Sequence, residues 1–226
     1  DSKPVKEVLE GMDLILVDNC YLTSNNNLAD QLFDVRTPLD LVAAAEPLER
    51  ERYELLWKLT NVIRDSRTFT VEEIVKHELS RLLDHLQEVY NFSHCMTSGK
   101  REARRSPGRR TKSRSFDRQD FAEEAGWDSP AVRVAMRSLN SYSLAVQQAQ
   151  KEFRIYAGRR EPVKDQSWKA SETDYHLVES AIGFVGRDDR RKAAILTSDF
   201  DIPYILSRNR YPMERVMVFF PELTPR

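Results

Sequence analysis

The chain lacks the features that place a protein in a membrane or in a disulfide-rich class. It has no apolar run approaching the roughly 20 residues that a membrane-spanning helix requires. Its charged start is not followed by an apolar stretch, so we expect no signal peptide. Cys20 and Cys95 are too few for a disulfide framework and lack the spacing of a metal site. We therefore expect no membrane partner and a reducing, cytoplasmic setting.

The chain also has no excess of positive or negative charge. The 35 Lys and Arg residues nearly balance the 36 Asp and Glu residues, which gives a net charge of −1. Any attraction to nucleic acid must therefore come from local clustering. A hydrophobic fraction of 40% and a charged fraction of 31% are typical of a globular protein. The length of 226 residues is enough for one well-cored domain, and no internal repeat is visible.

The apolar pattern predicts strands that alternate with helices. Predicted strands cover residues 13–17, 68–71, 193–197 and 216–220. One predicted helix begins near residue 28, and further helices cover residues 47–66, 71–90, 130–156, 172–185 and 202–207. Thr70 with Glu73 resembles a capping box, and Ser171 is predicted to cap a later helix. This alternation indicates an α/β fold with a parallel sheet, whose ligands gather beyond the carboxyl ends of the strands.

Four acidic residues occupy positions where apolar side chains are expected. Asp18 ends one predicted buried strand, and Asp199 follows another. Glu78 falls within the apolar face of the helix at 71–90, and Asp174 extends the apolar face of the helix at 172–185. Carboxylates are rarely buried without a partner. Their joint occurrence therefore suggests a bound metal ion.

Each acid also has an ordinary explanation when it is taken alone. Asp174 could complement its helix dipole, and Asp18 or Asp199 could be a turn residue, whereas Glu78 lies too deep in its helix for capping. Two carboxylates about 6 Å apart repel by roughly 3 kcal/mol at an effective dielectric of about 20. Four together would raise one another's pKa values or require a cation. Oxygen ligands of this kind suit Mg²⁺ or Mn²⁺, and no Cys or His cluster supports zinc.

The order of these motifs resembles that of the PIN-domain ribonuclease family. Its members open with a strand-end Asp, then carry a helical Glu-Leu, a helical Asp and a Thr/Ser-x-Asp after a strand. The matching segments here are Val17-Asp18-Asn19, Glu78-Leu79, Thr173-Asp174-Tyr175 and Thr197-Ser198-Asp199. The resemblance covers nearly the whole chain, with longer spacers on both sides of Glu78 than in compact members.

The resemblance implies a three-layer α/β/α fold with a central parallel sheet of about four to five strands, as one domain over residues 1–226. It implies a Mg²⁺- or Mn²⁺-dependent endonuclease that prefers RNA. Asp18, Glu78, Asp174 and Asp199 would be the catalytic, metal-binding acids, and Asp201 an auxiliary metal-binding acid. Thr197 would orient a carboxylate or water, and Asn19 would hold the turn after the first strand. The toxin members imply an antitoxin-like protein partner, and a homodimer stays open.

A basic segment interrupts the periodic pattern within residues 95–128. It is low in complexity, contains Pro107-Gly108 and is expected to be a mobile insertion. It is either a solvated loop or an arm that follows a phosphate backbone. The candidate nucleic-acid-binding residues are Arg101, Arg104, Arg105, Arg109, Arg110, Lys112 and Arg114.

Other residues receive less specific interpretations. Cys20 has no indicated His partner, so a small packed residue is favoured over a nucleophile. Trp57, Trp127 and Trp168 are interpreted as packing anchors, although Trp127 lies beside the basic segment and could stack on a base.

Two further functions remain open at this level. One is a PIN-like scaffold that binds RNA or protein without catalysis; the full acidic set argues against it. The other is a phosphatase of the haloacid dehalogenase type, which also uses strand-end acids and Mg²⁺. That type needs Asp-x-Asp at the first strand, and Asp18-Asn19-Cys20 lacks the second acid.

Overall fold

The computed structural model describes residues 9–23, 28–60, 69–105, 126–211 and 214–219, and for residues 29, 30 and 99–105 it describes the backbone only. Within these residues helices alternate with strands, as predicted. The elements in chain order are β1 Leu14–Val17, α1 Asn19–Leu22, α2 Leu28–Phe33, α3 Pro38–Ala45, α4 Leu48–Lys58, β2 Phe69–Val71, α5 Glu73–Arg105, α6 Pro130–Glu152, β3 Arg154–Ile155, α7 Glu172–Val185, β4 Ala193–Leu196, α8 Asp201–Arg208 and β5 Val216–Phe219.

The five strands form one sheet in the order β3-β2-β1-β4-β5, and every neighbouring pair is parallel. All residues of β1 and β4 are buried. Because successive side chains of a strand point to opposite faces, both faces of the sheet are covered here, as is usual for a parallel sheet. The α/β class and the parallel sheet flanked by helices are therefore confirmed.

Contact clustering divides the chain into two compact units. Unit 1 comprises Asp1–Asn26, Glu54–Ser80 and Gln148–Arg226, and it contains the whole sheet with α7 and α8. Unit 2 comprises Asn27–Tyr53 and Arg81–Gln147, and its described elements are helices. One domain over residues 1–226 with a basic insertion within residues 95–128 stays a prediction.

The core of unit 1 joins α7 and α8 to one face of the sheet. Leu177, Val178, Ala181 and Ile182 of α7 pack with residues of β1, β4 and α8 in one buried cluster. This is the apolar face predicted for residues 172–185. The helix begins at the predicted cap, Ser171, and its carboxyl-terminal half lies directly under the chain that follows β3.

That approach depends on a glycine. A Cβ atom at Gly183 would lie 2.1 Å from the main-chain oxygen of Arg159, far inside contact distance. The main-chain N–H of Glu161 also donates to the main-chain oxygen of Glu179 at 3.0 Å. The start of the β3–α7 connection is therefore held against α7.

Unit 2 is held together by large buried side chains. Trp127 and Tyr142 are fully buried, and the Trp127 ring meets that of Phe92 edge to face at a centroid distance of 5.5 Å. Trp127 is thus a packing residue, as predicted.

No helix among the described residues is both long and apolar enough to cross a membrane.

The structure corrects three predicted element ends. Thr70 does not cap α5 but lies within β2, and the main-chain oxygen of Glu72 accepts the first helical hydrogen bonds. The predicted helix at 71–90 continues to Arg105. The buried face of α5 that contains Leu86 and Val89 continues at Ser93. Because this buried residue is a polar serine, the apolar periodicity of the sequence ends there although the face stays buried.

The third correction concerns the helix predicted over residues 130–156. It ends at Glu152, and Arg154 and Ile155 form the edge strand β3. Both residues are exposed, so no apolar pattern marks them as a strand. Their strand identity comes from backbone pairing with β2, in which Ile155 lies opposite Val71.

Candidate metal centre at the carboxyl edge of the sheet

Asp18 is fixed at the point where β1 ends. Its main-chain N–H donates to the main-chain oxygen of Leu196 at 3.0 Å, which extends the β1–β4 ladder by one bond. It then caps α1 with its backbone only, because its side chain makes no capping hydrogen bond. The residue is 4% exposed. Local structure therefore positions Asp18 without using its side chain.

Two side-chain donors converge on one carboxylate oxygen of Asp18. The Thr197 hydroxyl and the Cys20 thiol each donate to Oδ2 at 2.7 Å. Thr197 Oγ1 in turn accepts the main-chain N–H of Asp199 at 2.9 Å. Thr197 therefore links the end of β1 to the turn after β4, and it contacts a carboxylate in the way that the family resemblance implies.

Burial controls the protonation of the Asp18 carboxyl and of the Cys20 thiol. Desolvation, with smaller contributions from the charges of Asp174 and Glu78, raises the pKa of Asp18 to about 6 against the opposing effect of its two donors. Burial, together with the neighbouring Asp18, also raises the pKa of the Cys20 thiol. Cys20 therefore remains a protonated donor, and a thiolate nucleophile or thiolate metal ligand is disfavoured.

Asp174 is both the capping acid of α7 and a buried acid at the carboxyl edge of the sheet. Its Oδ2 atom accepts the main-chain N–H of Ser171 at 2.9 Å and the Ser171 hydroxyl at 2.7 Å, which completes a capping box on α7. The side chain is nevertheless buried and faces other acids. Its pKa is raised chiefly by burial and also by the charges of Asp199 and Asp201.

Asp174, Asp199 and Asp201 form a close set, which we call the aspartate group. Each offers one carboxylate oxygen, and these oxygens all lie within 4.8 Å of one another. Asp199 reaches the group from the turn after β4, and Asp201 from the first residue of α8. Two parallel-strand connections therefore deliver three carboxylates to the same edge of the sheet, where ligands of such sheets bind.

Glu78 contacts the residue that precedes Asp174 in the chain. The hydroxyl of Thr173, the residue before Asp174, donates to Glu78 Oε1. The charge of Glu78 also contributes to the raised pKa of Asp18. All four acids predicted from the sequence, with Asp201, are thus neighbours at one edge, although the 4.8 Å set comprises Asp174, Asp199 and Asp201 and not Asp18 or Glu78.

The four aspartates share a pattern of hydrogen bonding. One oxygen of each accepts donors from the protein: Oδ2 in Asp18 and Asp174, and Oδ1 in Asp199 and Asp201. No described residue donates to the other oxygen, and no described Lys or Arg forms an ion pair with any of the four. Hydrogen bonds of this kind hold a carboxylate in place while leaving a ligand atom available.

No model of a known protein family, no curated protein and no solved structure matches this chain. Its chemistry must therefore be argued from the geometry. Carboxylates about 5 Å apart repel by roughly 3 kcal/mol at an effective dielectric of about 20. A divalent cation with a preference for oxygen ligands would remove that repulsion.

Trp168 belongs to this site and is not the buried packing anchor that was predicted. It is exposed, and its indole N–H donates to Asp201 Oδ1 at 3.2 Å. The contact joins residues 33 positions apart. No local sequence pattern indicates this contact. The one signal is that the chain before the Ser171 cap must pass the carboxyl edge of the sheet.

Glu72, the residue before α5, is a further buried acid of unit 1. It follows β2, is 0% exposed and forms an ion pair in which Arg160 Nη2 lies 2.5 Å from Oε2. Its Oε1 atom is buried and has no described hydrogen-bond partner. Glu72 is thus a third strand-end acid, but one with a cationic partner of its own.

The remaining candidates lie away from these contacts or outside the described side chains. The main-chain oxygen of Asn19 accepts the N–H and the hydroxyl of Thr23 at 2.8 and 3.0 Å, which closes the turn after β1. Of the basic segment, Arg101, Arg104 and Arg105 lie on α5 with only their backbone described. Arg109, Arg110, Lys112 and Arg114 lie outside the described residues, so the nucleic-acid-binding arm stays a prediction.

Proposed function

We propose that this protein is a PIN-like nuclease that hydrolyses phosphodiester bonds with Mg²⁺ or Mn²⁺, with RNA favoured by the motif resemblance. The observation that carries the proposal is the aspartate group, three carboxylates within 4.8 Å at the carboxyl edge of a parallel sheet. Asp18 and Glu78 lie beside it, as the order of the motifs implies. The burial of both faces of β1 and β4 supports the three-layer arrangement of this family.

The donor chemistry fits such an ion. Asp174, Asp199 and Asp201 would hold it through the oxygens that accept no hydrogen bond from described residues, and Asp18 would approach from the β1 side. All these donors are carboxylate oxygens, which suit Mg²⁺ and Mn²⁺. The nearest thiol, Cys20, is used as a donor to Asp18 and does not compete for the ion.

Each residue of the site then has a defined task. A bound divalent ion would lower the pKa of a coordinated water and neutralise charge on the phosphodiester. Thr197 and Cys20 restrain Asp18, Ser171 restrains Asp174, and Trp168 restrains Asp201. Since these restraints are present before any ligand binds, the carboxylates need little rearrangement.

A cleavage assay with matched variants tests the proposal. Wild type, Asp174→Asn and Asp199→Asn are incubated with single-stranded and duplex RNA and DNA in Mg²⁺, Mn²⁺ or EDTA. We expect cleavage by wild type with either metal, none in EDTA, and a loss of at least about 100-fold in both variants. Glu172→Gln is the matched control, since Glu172 lies on the same turn of α7 with its side chain 77% exposed.

Three results would contradict the proposal. Cleavage that persists in EDTA would exclude a metal mechanism, and cleavage that persists in both asparagine variants would exclude this site. Intact polynucleotides in every condition would leave the non-catalytic scaffold as the better interpretation. Hydrolysis of a phosphomonoester with intact nucleic acid would favour the phosphatase.

A further inference from the structure

Two aromatic side chains of unit 1 are exposed beside the aspartate group. Trp168, in the β3–α7 connection, is 40% exposed, and Tyr204 of α8 is 42% exposed. Their ring centroids are 4.3 Å apart and their planes are inclined by 42°. The indole N–H donates to Asp201 Oδ1, and the Tyr204 hydroxyl accepts Arg208 Nη1 at 3.3 Å. The polar atoms of the pair are thus engaged within the protein, while ring surface faces solvent.

The connection that carries Trp168 is tied to the fold on both sides of that residue. Before it, the Asp165 carboxylate accepts the Arg208 guanidinium and the main-chain N–H and hydroxyl of Ser167. After it, the hydroxyl of Tyr175 on α7 donates to the main-chain oxygen of Trp168 at 2.7 Å. The indole is therefore held in place before any ligand binds, which lowers the entropic cost of stacking.

The charges around the pair indicate what would stack there. The aspartate group repels the phosphates of a polynucleotide, so affinity next to it must come from contacts to another part of the ligand. Aromatic rings supply such a contact, because every nucleobase has a π face and stacking does not depend on phosphate charge. Lys169, the residue after Trp168, is exposed and carries a positive charge, and the guanidinium of Arg208 contacts the Tyr204 hydroxyl while it pairs with Asp165.

We propose that Trp168 and Tyr204 form a nucleobase-binding subsite that stacks one unpaired base of the polynucleotide next to the aspartate group. The inference rests on the proposed nuclease function and adds to it the residues that position the substrate. The hydrogen bond from Trp168 to Asp201 links the stacked base to a metal-binding candidate. The same subsite accepts RNA or DNA, since it contacts the base and not the sugar.

Binding of short fluorescent oligonucleotides in EDTA tests this subsite without any cleavage. The ligands are single-stranded RNA, single-stranded DNA, a blunt duplex and an abasic single strand that has the phosphates but no bases. Trp168→Leu and Tyr204→Leu remove an aromatic ring, whereas Trp168→Phe keeps a ring and loses only the N–H. Tyr53→Leu removes an aromatic ring that is 58% exposed on α4 and serves as the control.

We expect the two leucine variants at Trp168 and Tyr204 to bind base-bearing single strands about 5- to 20-fold more weakly. Trp168→Phe and Tyr53→Leu should stay within about twofold of wild type. No variant should change binding to the abasic strand or the duplex. Circular dichroism and thermal melting verify that the exposed substitutions leave the fold intact.

Several outcomes overturn the inference. In the first, all variants bind base-bearing strands with equal affinity. In the second, the leucine variants lose as much affinity for the abasic strand as for base-bearing strands. In the third, wild type binds base-bearing and abasic strands equally. The nuclease proposal fails separately, when wild type cuts nothing in Mg²⁺ or Mn²⁺ although its binding depends on Trp168. Conversely, metal-dependent cleavage with unchanged binding by Trp168→Leu removes the subsite and leaves the nuclease.

Discussion

Asp18 and Glu72 are buried acids that follow neighbouring strands of the same sheet, but they have different partners. Glu72 has the guanidinium of Arg160 at 2.5 Å. Asp18 has a hydroxyl and a thiol, and no described cation forms an ion pair with it. Burial therefore raises the pKa of Asp18 to about 6. The counterion of Glu72 is thus part of the folded chain, whereas the proposed metal ion would supply the positive charge next to Asp18.

The largest expected effect comes from neutralising Asp18. At pH 8 without metal, Asp18→Asn should raise the free energy of unfolding by up to about 3 kcal/mol, because wild type must ionise a buried carboxyl. The amide oxygen can still accept from Thr197 and Cys20. Urea denaturation in EDTA measures the change. The same variant should lose metal-dependent cleavage, so stability and activity should move in opposite directions.

The pH dependence of wild type provides the control. A folded pKa of about 6 lies above the usual 3.8, so the folded protein binds the extra proton between these values. This stabilising contribution is complete below about pH 4 and is lost as pH rises through about 6. The difference in unfolding free energy between Asp18→Asn and wild type should therefore grow over that window. A constant difference from pH 4 to 8 would contradict the raised pKa.

A slightly smaller effect should follow from the metal itself. Mn²⁺ at about 100 times its dissociation constant should stabilise wild type by about 2.7 kcal/mol. Asp174→Asn and Asp199→Asn should lose most of this stabilisation, while Glu72→Gln should keep it because Glu72 already has a cation. Thermal melting with and without Mn²⁺ measures both. An equal response in all variants would place the ion elsewhere.

Removing the partner of Glu72 should affect stability and not metal binding. We expect Arg160→Met to lower the free energy of unfolding by about 2 kcal/mol, because it leaves a buried carboxylate without its cation. The value is below that of a fully buried pair, since the Arg160 side chain is 38% exposed. Arg159→Met removes the neighbouring exposed charge and should be nearly neutral. A shift in the Mn²⁺ titration by Arg160→Met would break the distinction between the two acids.

The smallest expected effect concerns the hydroxyl that orients Asp18. Thr197→Val removes the donor to Oδ2 and should weaken Mn²⁺ binding about 10-fold, whereas Thr197→Ser keeps the hydroxyl and should bind nearly as wild type. Calorimetric titration with Mn²⁺ measures both affinities. Equal affinities for the valine and serine variants would show that the hydroxyl is dispensable.

Local patterns predicted the parts of the fold that are buried and regular. β1, β4 and α7 with its Ser171 cap were predicted almost residue by residue, because apolar runs and a capping signal mark them. β3 was missed because both of its residues are exposed and only pairing with β2 makes them a strand. The division into two units depends on contacts distant in sequence, which no window of sequence reports.

The residues of the site also fall into two sets, those that local patterns predicted and those that they did not. Helix phase placed Glu78 and Asp174 on buried faces, and strand ends placed Asp18 and Asp199 at one edge. Glu72 was not singled out, because its ion pair with Arg160 joins residues 88 positions apart. The contacts of Cys20 and Trp168 with acids depend on tertiary packing, and residue types alone do not predict them.

The capping box of α7 makes helix initiation and assembly of the site one event. The Asp174 carboxylate closes the first turn of α7, and the same carboxylate belongs to the aspartate group. If that turn frays, the carboxylate leaves the cluster, so the site cannot be complete while the start of the helix is unfolded. Conversely, an ion bound by Asp174 would slow amide hydrogen exchange in the first turn of α7. Local order of a helix end thus becomes a direct readout of occupancy.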